Sequence, residues 1–199
     1  MTRNRSDTIR LQRFDDLLEL FSPGRAIDLG AGRGNFAQRA ASRGWDVLAV
    51  DARADRFPEE SGETITWSKE DVRDVDFRGF DLIFNLGLFY HLTLEDQLSL
   101  LDRAVGIPMI LDTHVGDGGE AQHFSLSDLT TQKGYEGRIY SEEEIQDVST
   151  ASFGNLHSFW PTSEALTLML FERGWDVLHS MPYYRSSRTF FLCLPRTSI

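Results

Sequence analysis

Residues 26–51 read AIDLGAGRGNFAQRAASRGWDVLAVD, and few folds accommodate that order. A short apolar run (Ala26, Ile27, Leu29) stops at alternating glycines, Gly30, Gly32 and Gly34. A helical stretch follows from about Asn35 to Ser42. A second apolar run, Val47 to Val50, then stops at Asp51. The pattern is strand, tight turn, helix, strand, acid. Glycine lets the backbone turn sharply and approach a ligand closely. The helix after the turn offers unpaired N–H groups and the positive end of its dipole. An acid at the tip of the next strand is well placed to accept the two hydroxyls of a ribose.

Two cofactors use this plan. The dinucleotide fingerprint wants Gly-x-Gly-x-x-Gly around a pyrophosphate. Here the third glycine comes one residue early, at Gly34, and Asn35 holds the position that pattern needs. Asp28 also stands two residues before the first glycine. A carboxylate there repels a pyrophosphate but receives an ammonium group, directly or through water. The stretch DLGAGRG, with its second acid after a strand, resembles motif I of the class I S-adenosylmethionine-dependent methyltransferases. That resemblance implies S-adenosylmethionine as cofactor and S-adenosylhomocysteine as product. It also implies a cofactor cradle of Asp28, Gly30, Gly32, Gly34 and Asp51. A Gly-rich turn in some other α/β protein is the plainer alternative. A nicotinamide-dependent oxidoreductase is disfavoured by Asn35 and Asp28.

At 199 residues and 41% hydrophobic content the chain suits one domain with one sizeable core. Ile9, Leu11, Phe14, Leu17, Leu18 and Phe21 recur near a 3.6 period and predict an N-terminal helix over 8–21, before Ser22-Pro23-Gly24. Strands are expected at 25–29, 45–50, 64–67, 81–85 and 108–113, with helices at 34–43 and 94–105. Leu94, Leu98, Leu101 and Val105 share one side of the latter. Residues 52–62 read as a polar loop with at most one helical turn. From His114 to about Pro161 the regular pattern lapses. It resumes as a helix over 163–173, N-capped by Ser163, and strands over 175–181 and 189–194 joined by a short link. Alternating strands and helices imply an α/β, Rossmann-like parallel sheet. The methyltransferase resemblance implies seven strands, mostly parallel, ending in an antiparallel C-terminal hairpin. The whole chain is then a single methyltransferase domain, with 1–22 as its N-terminal helix and 114–162 as a substrate-side insertion.

In the family pattern the acid after strand three accepts the adenine amine. Asp71 matches it, and the Val72 N–H then meets a ring nitrogen. A loop acid or helix cap is the plainer role for Asp71, and Glu70 and Asp74 lie close by. The segment FDLIFNLGLFYHL, Phe80 to Leu92, resembles motif IV, so Asn85 and Leu86 lie where the methionine part of the cofactor passes. Tyr90 and His91 follow a turn later. Histidine titrates near neutrality and suits a general base for a hydroxyl nucleophile. Alternatively, His91 caps the next helix or bonds a carbonyl. Asp112, Thr113 and His114 form a second candidate cluster at the tip of strand five, so His91, His114 and Tyr90 are the catalytic candidates. An Asp-plus-His pair could recruit a divalent metal, but no third ligand is evident and none is expected. Methyl transfer from a sulfonium needs mainly alignment and exclusion of water.

The insertion holds Phe124, Tyr135, Tyr140, Phe153, His157, Phe159 and Trp160. Such rings line small-molecule pockets, or they form a minicore that holds a long loop. LGLFYHL, LDTHV and NLHSFWPTSEALTLMLFERGW are together similar to a subgroup that includes bacterial tRNA wobble-uridine carboxymethyltransferases. There a similar tyrosine helps hold the carboxylate of carboxy-S-adenosylmethionine; Tyr90 matches it, and Arg138, Arg185 or Arg188 could reach a carboxylate. Those enzymes carry a long N-terminal extension with a further cationic contact.

The formal net charge here is −11, which disfavours a nucleic-acid partner. All but Lys69 and Lys133 of the 20 cationic residues are arginine, and Arg3, Arg5, Arg10 and Arg13 fit a solvated helix face. The expected activity is methyl transfer from ordinary S-adenosylmethionine to a small-molecule acceptor, at oxygen. The alternatives are a tRNA wobble-uridine (carboxy)methyltransferase and a non-catalytic cofactor-binding subunit. Cys193, the single cysteine, is expected to be a buried structural thiol. No signal peptide and no membrane-length apolar run is read, so a cytoplasmic protein is expected.

Overall fold

A computed structural model describes residues 5–59, 64–117, 124–142, 152–183 and 187–196. Gly62, Arg185 and Arg3 lie outside them. The chain divides into two compact units, Met1–Phe84 and Asn85–Ile199.

In the first unit, helix α1 (Arg5–Leu18) ends one turn earlier than its periodicity predicts. It buries Leu11, Phe14, Leu17 and Leu18, while Leu20 beyond its end is 65% exposed. Phe14 packs edge-on against Phe36 and Phe84. Behind it the buried Asp15 carboxylate binds Arg39 and Arg43, so the first helix is tied by charge to the helix that follows the glycines.

That helix is α2 (Asn35–Ala41). It lies between strands β1 (Arg25–Leu29) and β2 (Asp46–Asp51), which pair in parallel. Strand β3 (Ile65–Lys69) pairs in parallel with β2. All of β1 after Arg25 is buried, as in a sheet covered on both faces. The loop after Asp51 holds one 3-10 turn, Ala54–Arg56.

Strand β4 (Leu82–Leu86) is buried along its whole length. After it come a 3-10 turn, Phe89–His91, helix α3 (Leu94–Arg103) and strand β5 (Met109–His114). Helix α3 is N-capped by Thr93, whose oxygen accepts the Asp96 N–H at 3.1 Å. Val105, expected on the inner side of this helix, lies beyond its end and is 55% exposed.

The described residues of the insertion include regular structure. Three of its segments form a separate antiparallel sheet: β6 (Thr130–Gln132), β7 (Tyr135–Ser141) and β8 (His157–Pro161). The β6–β7 link is the two-residue turn Lys133–Gly134, with φ of 50° and 89°. Two left-handed residues match the twist of a tight hairpin.

Helix α4 (Ser163–Glu172) is capped by Thr162, not Ser163. The Ser163 hydroxyl instead donates to Asp117 Oδ1 at 3.0 Å. Strands β9 (Trp175–Pro182) and β10 (Arg188–Pro195) close the chain as an antiparallel hairpin, and β10 also runs antiparallel to β5. Seven strands therefore make one mixed sheet in the order β3-β2-β1-β4-β5-β10-β9. Cys193 is fully buried in β10 with a free thiol, as expected. Among the described residues no helix is long and apolar enough to cross a membrane.

Candidate active site

The glycine turn of the first unit is held by its own backbone and by one acid. Ala31 N–H donates to the Val50 carbonyl at 2.9 Å, and Gly34 N–H to the Ala31 carbonyl at 2.8 Å. Gly34 has φ of 70°, and a Cβ there would stand 2.2 Å from the Trp67 ring. Gly34 is therefore glycine because an indole fills the place of its side chain. Gly32 differs. A Cβ there would meet nothing within 4 Å except Arg56 Nη1, at 4.0 Å, so its outer side is open. Gly30 shares the left-handed geometry, with φ of 64°.

Asp51 ties this turn to the tip of β2. Its Oδ2 accepts the Gly32 N–H at 2.9 Å and its Oδ1 the Arg53 N–H at 2.8 Å. A carboxylate has about four lone-pair sites, so each oxygen retains capacity for a ligand hydroxyl. Asp28 lies deeper, 1% exposed, and its Oδ2 has no partner among the described residues. Burial pushes its pKa up to about 7; the Ala37 N–H pulls it down, and Asp51 adds repulsion. A buried acid is costly unless a donor satisfies it. Arg56 Nη2 is likewise buried and, among the described residues, unpartnered, a group that no motif singled out. Asp71 and Val72 open the turn after β3. Asp71 Oδ1 accepts the Arg73 N–H and Nε–H at 3.0 and 2.9 Å, and Val72 is buried.

The second unit begins with Asn85, fully buried, whose amide oxygen and nitrogen both lack partners among the described residues. Beyond it, β5 and β10 bring an ionic knot together. Arg188 Nη1 donates to Asp112 Oδ2 at 2.7 Å, and Arg188 Nη2 to Tyr90 Oη at 3.0 Å and to His114 Nε2 at 3.1 Å. Burial opposes the guanidinium charge, but Asp112 and Tyr90 outweigh it and raise the Arg188 pKa. Arginine only donates, so His114 Nε2 accepts, and its Nδ1–H then donates to Ser187 Oγ at 2.6 Å. Both ring nitrogens of His114 are engaged.

His91 is held differently. Its Nδ1 lies 3.0 Å from Glu142 Oε1, and Glu142 is fully buried at the end of β7. Among the described residues its Nε2 has no partner. Glu142 was not singled out in the sequence, since 51 residues separate it from His91. The rings of the insertion divide. Phe124, Tyr140 and Trp160 cluster with Tyr90 and His114, with Trp160 stacked on His114 at 4.7 Å and on Tyr140 at 5.4 Å. Phe159 is core, Phe153 and His157 are exposed, and Tyr135 binds Glu172 and Arg173. Arg138 is engaged by the carbonyls of Gly116 and Ser127.

A family model for a methyltransferase domain matches residues 1–180. A tRNA U34 carboxymethyltransferase of Pseudomonas putida (strain GB-1) is 32% identical over 112 residues, which span 49% of this chain and 35% of that protein. Among solved structures, the N-terminal domain of EvdMO1 with S-adenosylhomocysteine bound aligns with a TM-score of 0.71 at 22% identity, over 95% of this chain and 81% of that one. The 1,6-didemethyltoxoflavin-N1-methyltransferase of Burkholderia thailandensis, with its substrate and S-adenosylhomocysteine bound, aligns with a TM-score of 0.69 at 18% identity, over 97% and 80%. Both likenesses concern the fold.

Proposed function

This chain belongs to the methyltransferase-domain family and is a class I S-adenosylmethionine-dependent methyltransferase, and on that premise we propose that it methylates a neutral small molecule at oxygen, as one domain. The observation that carries this is the contrast between two histidines. His114 has both nitrogens engaged, one of them by a guanidinium, whereas His91 keeps Nε2 open. A ring whose lone pair already faces Arg188 is a poor proton acceptor. His91 is therefore the base, and Tyr90 and His114 shape the acceptor side with Phe124, Tyr140 and Trp160.

The cofactor fits the residues present. Asp28 Oδ2, buried and unpartnered, is available to an ammonium group or its bridging water. Asp51 takes the ribose hydroxyls on lone pairs that Gly32 and Arg53 leave, with Arg56 as a further donor. Asp71 and the Val72 N–H serve the adenine, and Asn85 the methionine part. Gly30, Gly32 and Gly34 supply the close backbone approach. When bound, S-adenosylmethionine supplies an activated methyl carbon with a neutral thioether as leaving group. The chain's own contribution is alignment, exclusion of water and one proton acceptor.

A second possibility rests on the 32% match to the tRNA enzyme and on Tyr90 Oη and Arg188 lying 3.0 Å apart. A carboxylated cofactor would then have to share Arg188 with Asp112, and the −11 charge disfavours tRNA. The test is S-adenosylhomocysteine release across a panel of phenols, enols and alcohols, beside tRNA with the carboxylated cofactor. His91→Asn should lower turnover by about 100-fold with a hydroxyl acceptor. Turnover only with tRNA, or no turnover with any acceptor, would refute the small-molecule assignment.

A further inference from the structure

The Glu142 carboxylate is fully buried, lies 51 residues from His91 in sequence, and has no Lys or Arg partner among the described residues. Its oxygens are nonetheless satisfied. Oε1 receives His91 Nδ1 at 3.0 Å and Ser158 Oγ at 3.1 Å, and Oε2 receives the Ser152 N–H at 3.3 Å. Asn155 Nδ2 adds bonds to the carbonyls of His91 and His157, at 3.1 and 2.7 Å. The His91 ring and its backbone are thus clamped from β8 and the segment before it. Among the described residues, the titratable groups against the ring are Glu142 and Tyr90, the latter with ring centroids 4.2 Å apart. The Arg188 guanidinium lies beyond, over Tyr90.

We infer that Glu142 is the positioning residue for His91, holding the proton on Nδ1 and leaving the Nε2 lone pair to receive the proton of a neutral hydroxyl acceptor. If Glu142 is ionised it only accepts hydrogen bonds, and Nδ1 then carries the hydrogen. Nε2 is then the acceptor nitrogen, the logic of a base oriented by a third group. The buried anion also gives the imidazolium a partner once it forms. In the step itself an oxygen lone pair forms the O–CH3 bond and the O–H proton passes to Nε2. The S–CH3 electron pair stays on sulfur, and the imidazolium later returns its proton to water. This inference rests on the proposed oxygen chemistry, but its test does not need the acceptor.

Side-chain 1H–15N correlation on the full chain reports the tautomer of each of the five histidines, with His91 assigned by the signals lost in His91→Asn. In its neutral form the wild-type His91 ring should carry its hydrogen on Nδ1. Glu142→Gln keeps the shape but brings one amide NH2. The Ser152 N–H cannot turn away, so the Gln oxygen must face it. The NH2 then faces Ser158, which can turn its hydroxyl, and His91, which must accept at Nδ1. The variant should therefore show His91 as the Nε2–H tautomer, with S-adenosylhomocysteine affinity unchanged by calorimetry. An Nε2–H tautomer in the wild type, or an unchanged tautomer in a folded Glu142→Gln, would overturn the inference. If that variant does not fold, the wild-type tautomer decides alone. Failure to bind S-adenosylhomocysteine would instead count against the proposed function and leave the tautomer result standing.

Discussion

Asp51 Oδ2 accepts the N–H of Gly32 at 2.9 Å, so the acid at the tip of β2 holds the glycine turn that opens α2. One carboxylate thus shapes the turn, and in the proposed function its remaining lone pairs take the ribose hydroxyls. Asp51→Ala should weaken S-adenosylhomocysteine binding by about 1–3 kcal/mol, the cost of leaving hydroxyls and an N–H unpaired. Calorimetric titration reads this directly, and unchanged affinity would remove Asp51 from the cofactor contacts.

Asp28 should make cofactor binding depend on pH. Burial sets its pKa near 7, with Asp51 raising it and Arg10 and the Ala37 N–H lowering it. Below that pH the group is neutral and a poor partner for an ammonium. Affinity for S-adenosylhomocysteine should therefore rise as pH increases through about 7 and then level off. Stability has the opposite sign. The folded pKa lies above the unfolded 3.8, so the folded state holds this proton longer. The contribution is fully present below about pH 4 and is lost as pH rises through about 7. Asp28→Asn should flatten both profiles; an unchanged slope would show that another group titrates.

Gly34→Ala should destabilise the fold by about 2–5 kcal/mol, summing a left-handed residue with a side chain and overpacking against Trp67. Urea denaturation measures it. A loss within error would mean that the Trp67 ring moves aside freely.

Arg188→Ala should cost about 3–5 kcal/mol of stability, because it leaves the Asp112 carboxylate, which has no exposed surface, without its cation. Adding Asp112→Asn should recover part of that loss. No recovery would assign the cost to the bonds with Tyr90 and His114 instead.

The parts of the fold legible in the sequence are those where burial writes an unbroken apolar run. Strands β1, β4 and β5 sit inside the sheet, so AIDL, LIFNL and MILDT stand out from their polar flanks. The insertion was not legible because β7 carries Glu136, Gly137 and Arg138 in its first half. A Cβ on Gly137 would strike the Phe159 ring at 2.5 Å, so packing removes the apolar side chain that would have marked the strand. The turn Lys133–Gly134 was the available signal. At Thr162–Ser163 two hydroxyl residues compete for one cap, and sequence cannot choose between neighbours.

Around the glycine turn the backbone geometry follows local spacing: Gly30, Gly32 and Gly34 all take left-handed φ, and Asp51 accepts the Gly32 N–H. Asp28 lies within β1, Asp51 ends β2, and Asp71 follows β3 by two residues. Glu142 and Arg188 were not readable as partners. Tertiary pairing across 51 and 98 residues brings them to His91 and Tyr90, and no local pattern encodes that.

Calorimetry with S-adenosylmethionine, S-adenosylhomocysteine and NAD on the full chain tests the central claim most directly. The acid-lined glycine turn should give saturable one-to-one binding of both sulfur nucleosides, and none of the dinucleotide. Binding of NAD, or no heat from either sulfur nucleoside at millimolar concentration, would contradict it.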